Sequence, residues 1–488
     1  MTGDQWFGHP RALSTLFFTE MWERFSYYGM RALLVLFMTN AVTTGGMGLD
    51  DVTATAIYGL YTASVYVVTL PGGWVADRLL GLRRSVLWGG VVIAAGHFTL
   101  AIPSLPTFYL GLALIVVGTG LLKPNVSAMV GDLYPEGGSR RDAGFSIYYM
   151  GINVGGFFGP LICGYLGESI NWHLGFAAAG IGMVCGLIQY VLGGKHLGEA
   201  GELRSEARSP EARSKALRSL MVGVEALIGA ALIVGALGAM GAINISLVGF
   251  VDSTGLLIVA LATAFLVYVA FFGGLSLVER KRIGVIAVLF LAAACFWSGF
   301  EQAGSSMNLF ADRLTDRVFG GWEMPASWLQ SVNPTFIILL APVFSAIWLW
   351  LGARNPSMPA KMAFGLICLG VGFFVLAWAS ASASIESPVS PAWLVATYFF
   401  HSVGELCLSP IGLSSITKLS PQRYVGQMMG IWFMGAALGN LLAGRVGGLI
   451  ASLPMPQLFG AVTLFSIGSG VLLLLFTKPL KGWIGEAT

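Results

Sequence analysis

Glu20-Met21-Trp22-Glu23-Arg24-Phe25-Ser26-Tyr27-Tyr28 places two carboxylates and a guanidinium inside an apolar segment that runs from about residue 14 to residue 42. At 100° per residue, Glu20, Glu23, Arg24, Tyr27, Tyr28 and Arg31 fall within roughly 140° of arc. One face of this helix is charged and aromatic, and the other is apolar. An ionised side chain at bilayer depth costs at least ~2.5 kcal/mol, so such residues face a bundle interior or a watery cavity and mark function.

The rest of the chain supplies the bilayer that this reading needs. Of 488 residues, 56% are hydrophobic and only 10% are charged, against about 25% charge in a soluble domain. Apolar segments fall near 14–42, 52–79, 84–103, 105–133, 143–166, 173–194, 219–242, 253–277, 283–311, 327–351, 361–380, 391–418, 424–451 and 457–477. Each is long enough to cross a membrane, which makes the expected fold an all-α integral membrane bundle of fourteen spans. Met1 to Pro10 carries no basic run of the kind that opens a secretory signal. Cys163, Cys185, Cys295, Cys368 and Cys407 stand singly in apolar segments without CxxC spacing, so they read as packing residues, neither metal ligands nor disulfides.

Lys and Arg orient the spans. With both termini in the cytoplasm, Arg11, Arg78, Arg83, Arg84, Arg140, Arg141, the 195–218 cations, Arg280 to Arg282, Arg354, Lys361, Lys418, Arg423, Lys478 and Lys481 share the cytoplasmic side. Only Arg313 and Arg317 fall opposite; Arg24, Arg31, Lys123 and Arg445 lie within spans. The polar stretch 195–218, which includes Arg204 and Arg208, follows the sixth span. The next two segments, nearly pure Ala, Gly, Leu and Val, read as a peripheral hairpin facing lipid. The expected organisation is an N-terminal six-helix bundle over 1–194, a linker and two-helix insertion over 195–282, and a C-terminal six-helix bundle over 283–488. An internal repeat supports it. Lys123-Pro124-Asn125 through Leu133-Tyr134-Pro135 aligns with Ser409-Pro410-Ile411 through Leu419-Ser420-Pro421, and Tyr148-Tyr149-Met150-Gly151 aligns with Trp432-Phe433-Met434-Gly435. Two parallel six-helix repeats are a transporter architecture, with the site at the midplane between them.

Gly73-Trp-Val-Ala76-Asp77-Arg78-Leu-Leu-Gly81-Leu-Arg83-Arg84 resembles the loop signature of the major facilitator superfamily, and marks Asp77 and Arg78 as gating residues. Glu20-x-x-Glu23-Arg24-Phe25-x-Tyr27-Tyr28 resembles the ExxERFxYY motif of the proton-dependent oligopeptide transporter family. Phe145-Ser-Ile-Tyr148-Tyr149-Met-Gly151-Ile-Asn153-Val-Gly155-Gly156-Phe157 is similar to that family's second signature, and Phe300-Glu301-Gln302-x-Gly304-Ser305-Ser306 to its seventh-helix motif. The two extra helices match its bacterial members. The resemblance covers about residues 10–480 and implies a bacterial fourteen-helix transporter of the major facilitator fold.

The charges fit a substrate beside that resemblance. Glu20, Glu23, Arg24, Arg31 and Lys123 fall in the first half, and Glu301 and Glu405 in the second. A peptide zwitterion suits such a cavity, its carboxylate toward Arg24 and Lys123 and its ammonium toward Glu405. The resemblance implies the same polarity, with Asn153 and Asn333 joining Glu405 at the amino end. Tyr27, Tyr28, Tyr66, Trp297 and Trp432 would form walls with polar tips; Tyr66 is placed by its position before Asp77, as in the family. Two or three residues span about 7–11 Å. Proton coupling falls to Glu20, Glu23 and Glu301, whose carboxyls titrate with desolvation and with nearby cations. Animal relatives carry a functional histidine in the second helix; residues 52–79 hold none, which shifts the weight to carboxylates. His401 reads as packing. Arg31 is expected to gate by pairing near the outer end, with Glu323, Asp312 and Asp316 as candidate partners.

No Walker loop, HExxH or usable GxSxG appears, so the chain reads as neither an ATP pump nor an enzyme. The expectation is a monomeric, multi-pass inner-membrane symporter of di- and tripeptides that works by alternating access. It uses protons as coupling ion, no other cofactor and no metal, with the lipid bilayer and peptides as partners and no nucleic acid. A transporter of another small anion or a drug-like substrate on the same fold is the alternative.

Overall fold

Fourteen long helical segments appear among the described residues, each over one of the expected spans. In lipid every backbone N–H and C=O must find a partner within the chain, which a helix supplies locally. The computed structural model describes residues 5–484 except 137, 204–208 and 242–245. The segments are α1 (Ala12–Thr39), α2 (Asp51–Leu80), α3 (Leu82–Leu100), α4 (Leu105–Asp132), α5 (Gly138–Ser169), α6 (Trp172–Gly193), α7 (Pro210–Ala239), α8 (Leu247–Phe272), α9 (Leu277–Leu314), α10 (Ala326–Leu351), α11 (Met358–Ser382), α12 (Ala392–Leu419), α13 (Val425–Gly448) and α14 (Met455–Leu475). A short α15 (Thr477–Ile484) follows. Eleven of the segments are long and apolar enough to cross a membrane. The repeat pairs α4 with α12, both 28 residues long.

Among the described residues α10 opens as a 3-10 helix, Ala326–Ser331, and α2 and α9 change winding further along. The helix of α2 ends in a π-helical turn, Ala76–Leu80. Gly81 follows at φ +78°, and a Cβ there would lie 2.8 Å from the Leu203 nitrogen. In α9 the α-helix Leu277–Phe300 tightens to a 3-10 turn over Glu301–Gly304 and resumes at Ser306. Such interruptions inside long helices mark hinges or functional positions.

The expected linker is shorter than the stretch 195–218. The helix of α7 already begins at Pro210, with the Ser209 side chain accepting from the Ala212 nitrogen at 3.2 Å. A serine cap followed by proline at the first helical position starts a helix even in polar sequence. Arg204 and Arg208 lie outside the described residues. The apolar surfaces of α7 and α8 are largely exposed: 0% of the apolar window of α7 is buried and 22% of that of α8.

Contact density divides the chain into two compact units. The first comprises residues 1–23, 68–152 and 180–253; the second comprises 24–67, 153–179 and 254–488. The division falls within α1, between Glu23 and Arg24. In the first unit Leu13, Leu16, Ile93, Leu122, Val126, Met129 and Met183 form a buried core. There α3 meets α4 backbone to backbone: a Cβ on Gly118 would sit 2.6 Å from the Gly89 carbonyl oxygen. In the second unit Phe296, Phe310, Phe373 and Phe459 are fully buried. A Cβ on Gly444 of α13 would come within 2.7 Å of the Gly59 Cα of α2. Small residues at such crossings bring helices together by van der Waals contact, since lipid removes the hydrophobic drive.

Candidate functional site

In the second unit the lower turns of the Glu20–Tyr28 motif continue along one face of α1. Residues three and four apart share a helix face, so Arg24, Tyr27, Tyr28 and Arg31 form one stack. The Arg24 guanidinium lies 5.2 Å from the Tyr27 ring and 5.9 Å from that of Tyr28. Arg31 lies 4.8 Å from the Tyr28 ring and 5.9 Å from Tyr27. The two tyrosines meet edge to face at 5.3 Å. Cations placed over desolvated aromatic faces gain electrostatic stabilisation that water would screen.

Arg31 is paired with Glu301. Its Nη1 donates to Glu301 Oε2 at 2.6 Å, and the two side chains are 7% and 5% exposed. This corrects the expectation of a partner among Glu323, Asp312 and Asp316. Those acids lie past the 3-10 turn, where Arg317 takes Asp312 at 3.1 Å and Glu323 at 2.9 Å. Asp316 instead accepts from the Val318 nitrogen. The turn aims Glu301 at α1, and it is tied there: Tyr58 Oη donates to the Glu301 carbonyl at 3.2 Å, and Asn308 Nδ2 to the Ala32 carbonyl at 2.8 Å.

The amino-end residues form a second polar group in the same unit. Asn333 Nδ2 donates to Ser402 Oγ at 2.9 Å and to Glu405 Oε2 at 3.2 Å. Tyr28 carries both guanidiniums over its ring. Gly156 makes the approach possible: a Cβ there would lie 3.2 Å from the Tyr28 ring and 3.5 Å from Pro334. Asn153, one turn earlier on α5, is buried. Arg24 and Arg31 thus share the Tyr28 ring, Glu301 is bonded to Arg31, and Glu405 is held by Asn333, whose neighbour Pro334 meets Tyr28 across Gly156.

The two tryptophans are packed against glycines. A Cβ on Gly439 would sit 2.5 Å from Trp297 Cβ, and one on Gly412 2.0 Å from the Trp432 ring. His401 packs as expected, buried with its ring 4.8 Å from Phe373 and flush against Gly372.

The first unit holds the remaining coupling candidates. Glu20 and Glu23 are buried. Glu20 Oε2 accepts from Tyr148 Oη at 2.7 Å, and Tyr148 Oη lies 3.2 Å from Ser127 Oγ. Ser127 in turn donates to the Lys123 carbonyl at 3.4 Å. This chain links α1, α5 and α4 through two residues that the sequence reading did not assign, Tyr148 and Ser127. The paired tyrosines of the second signature were the available signal. Asp77 and Arg78 are exposed on the π turn. It is Arg83 that ties this loop to the segment after α6, donating to the Gly198 carbonyl at 3.1 Å and to that of Gly194.

Beyond the 3-10 turn, Arg313 forks onto both Asp51 oxygens at 2.8 and 2.7 Å. Glu168 accepts from the Ala326 and Ser327 nitrogens at 2.7 and 3.0 Å, capping the start of α10. In the second unit, contacts therefore cluster at the end of α9 away from its Leu277 start.

The sequence profile of the POT family matches residues 83–462. The chain is 41% identical to "Peptide transporter YePEPT" of Yersinia enterocolitica subsp. palearctica over 98% of this chain and 96% of the relative. It is 38% identical to "Di-/tripeptide transporter" of Lactococcus lactis subsp. cremoris over 99% and 98%. Its fold is similar to that of a crystal structure of "peptide transporter POT in complex with sulfate", with a TM-score of 0.90 at 40% identity, covering 98% of this chain and 96% of that one.

Proposed function

Because this chain belongs to the POT family, we propose that it is a proton-coupled symporter that carries di- and tripeptides across the bacterial inner membrane by alternating access. The observation that carries the reading is the set of Arg24 and Arg31 over Tyr28, Glu301 on Arg31 and Glu405 on Asn333. A zwitterion of peptide length offers one charge to each sign. The carboxylate of the peptide engages Arg24, with Lys123 as a second cation, and its ammonium engages Glu405, oriented by Asn333 and Asn153. Recognition by the two termini leaves the side chains to adaptable aromatic walls, which suits a transporter of many sequences.

Coupling follows from the Arg31–Glu301 pair. A buried ion pair is held by mutual attraction, and removing one charge leaves the other uncompensated at a cost of several kcal/mol. Protonating Glu301 frees Arg31, and a peptide carboxylate offers the guanidinium a replacement. Glu20 and Glu23 supply the further protonation sites, Glu20 through its bond with Tyr148. A potential of 100 mV contributes ~2.3 kcal/mol per charge, enough for about fiftyfold accumulation per proton. Residues 1–194 and 283–488 act as the two moving bundles of a monomer, both termini on the cytoplasmic side, and no metal or organic cofactor takes part.

The test is uptake of labelled dialanine by proteoliposomes under an acid-outside gradient. Accumulation of intact dipeptide, abolished by a protonophore and competed by tripeptide but not by free alanine or nitrate, supports the reading. Uptake indifferent to the gradient, or preference for nitrate, overturns it.

A further inference from the structure

Phe157, Leu161, Gly164 and Glu168 of α5 stand three or four residues apart and so form one stripe of that helix. Each meets the start of α10, in reverse order and within the second unit. Ser331 Oγ donates to the Phe157 carbonyl at 2.8 Å, and Trp328 Nε1 to the Leu161 carbonyl at 2.9 Å. A Cβ on Gly164 would collide with Ser327 Oγ and lie 3.3 Å from the Trp328 ring. The Glu168 carboxylate closes the seam. It takes the Ala326 nitrogen on Oε2 and the Ser327 nitrogen and hydroxyl on Oε1.

The start of α10 borrows this cap. Pro325 occupies its capping position and has no acceptor side chain to offer, yet the first N–H groups of a helix find no partner within it. A carboxylate suits such a place because the helix dipole leaves it positive. Here the carboxylate comes from a helix 158 residues earlier. The approach to α10 is braced as well: Arg317 Nη1 donates to the Met324 carbonyl at 2.6 Å, and the Met324 nitrogen donates to the Arg317 carbonyl at 2.8 Å. Glu168 lies at the end of α5 far from Arg140 and Arg141, which is the outer end when both termini are cytoplasmic.

We propose that Glu168 is a positioning residue for transport: it caps α10 from α5 only while the outer ends of these helices are together, and so holds the outer mouth shut. This rests on the reading of residues 1–194 and 283–488 as bundles that move against each other, since α5 belongs to one and α10 to the other. When the outer mouth opens, Ala326, Ser327 and Glu168 exchange one another for water. The latch is separate from the Arg31–Glu301 pair, which joins α1 to α9. Glu168 sets the share of molecules open to the outside and touches neither peptide nor coupling proton.

The test is pulsed electron–electron distance measurement on the full chain in proteoliposomes. Nitroxides are carried by ketone-bearing residues in place of Ile170 and Val318, both exposed and just outside the seam. Glu168→Gln, whose amide sets donors against the donors of α10, should raise the long-distance share about fivefold. Ser327→Ala, which withdraws one donor and adds no bulk beside Gly164, should raise it about twofold. Asp142→Asn, exposed near the other end of α5, should leave it unchanged. In dialanine uptake Glu168→Gln should lower KM about fivefold, because more of the protein is competent to bind from outside, and should lower kcat as closure loses its cap. A purely structural defect would lower kcat with KM unmoved, and that result overturns the proposal. The distances need no cargo, so a chain that shows both shifts but ignores dialanine keeps the latch and loses only the substrate reading. Wild-type distances in Glu168→Gln and Ser327→Ala, or an equal shift in Asp142→Asn, overturn the latch; if Glu168→Gln does not fold, Ser327→Ala decides alone.

Discussion

Arg31 Nη1 and Glu301 Oε2 are 2.6 Å apart, joining α1 to the 3-10 turn of α9 with both side chains shut off from solvent. The pair is a buried charged contact of the second unit, and it makes opposite demands on stability and on function. Glu301→Gln leaves a guanidinium buried without its counter-charge, which costs ~3–5 kcal/mol when such a pair is broken. The expected result is a lower melting temperature, largely recovered in the Arg31→Met, Glu301→Gln double variant. Peptide exchange between equal pools should persist in Glu301→Gln while gradient-driven accumulation is lost. Wild-type accumulation in that variant would remove Glu301 from coupling.

Tyr148 Oη donates to Glu20 Oε2 at 2.7 Å. Leaving a buried charged acceptor short of a bond costs about 1–3 kcal/mol. Tyr148→Phe keeps the ring and its packing, so the expected effect is a loss of about tenfold in driven uptake with unchanged helical content by circular dichroism. Equal uptake would mean that the tyrosine serves packing alone.

Glu405 and Asn333 are held together at 3.2 Å, which orients the carboxylate expected to meet the peptide ammonium. In competition assays N-acetyl-dialanine should bind far more weakly than dialanine to the wild type. In Glu405→Gln that discrimination should shrink by about tenfold, the scale of one charge-assisted hydrogen bond. Discrimination that survives the substitution would assign ammonium recognition elsewhere.

Asp50 caps the start of α2, accepting from the Thr53 nitrogen at 2.9 Å and from Thr53 Oγ1 at 2.7 Å. The backbone donor, foremost, holds its carboxyl below the ordinary carboxylate range. A folded-state value lower than the unfolded one stabilises above the unfolded value, and the contribution is lost as pH falls through the folded one. Asp50→Ala should therefore reduce stability at neutral pH by the ~1 kcal/mol of a lost cap, seen as a lower melting temperature. The difference from wild type should close in acid, and a gap that stays constant down to strongly acidic pH would contradict the capping role.

Much of the architecture was readable because hydropathy reports one physical quantity, the cost of lipid contact, residue by residue. That is why the fourteen apolar runs and the long helices coincide, and why the largely exposed α7 and α8 could be recognised from their uniform Ala, Gly, Leu and Val. The charged face of α1 was readable for the same reason. The partner of Arg31 was not. Depth in the sequence suggested the acids after residue 311, but the 3-10 turn redirects Glu301, and that turn is fixed by Tyr58 and by the Asn308–Ala32 bond, both from distant segments. Tyr148 escaped for a similar reason: nothing local to residues 145–157 indicates which of two adjacent tyrosines faces Glu20. The roles of Trp297 and Trp432 as walls rested on side-chain type; the structure adds that the Trp432 ring lies against Gly412 and the Trp297 Cβ against Gly439.

The four residues Glu301–Gly304 wind at three per turn rather than 3.6. A 3-10 segment rises about 2.0 Å per residue against 1.5 Å in an α-helix and turns about 20° further. Rewinding this one segment would therefore shorten α9 by about 2 Å and rotate everything past Ser306 by roughly 80°. Asn308, Arg313 and the loop beyond would swing together, as the far end of a key turns with its shank. A single four-residue stretch of backbone is thus able to convert a local change of pitch into the unlocking of Asp51 from Arg313.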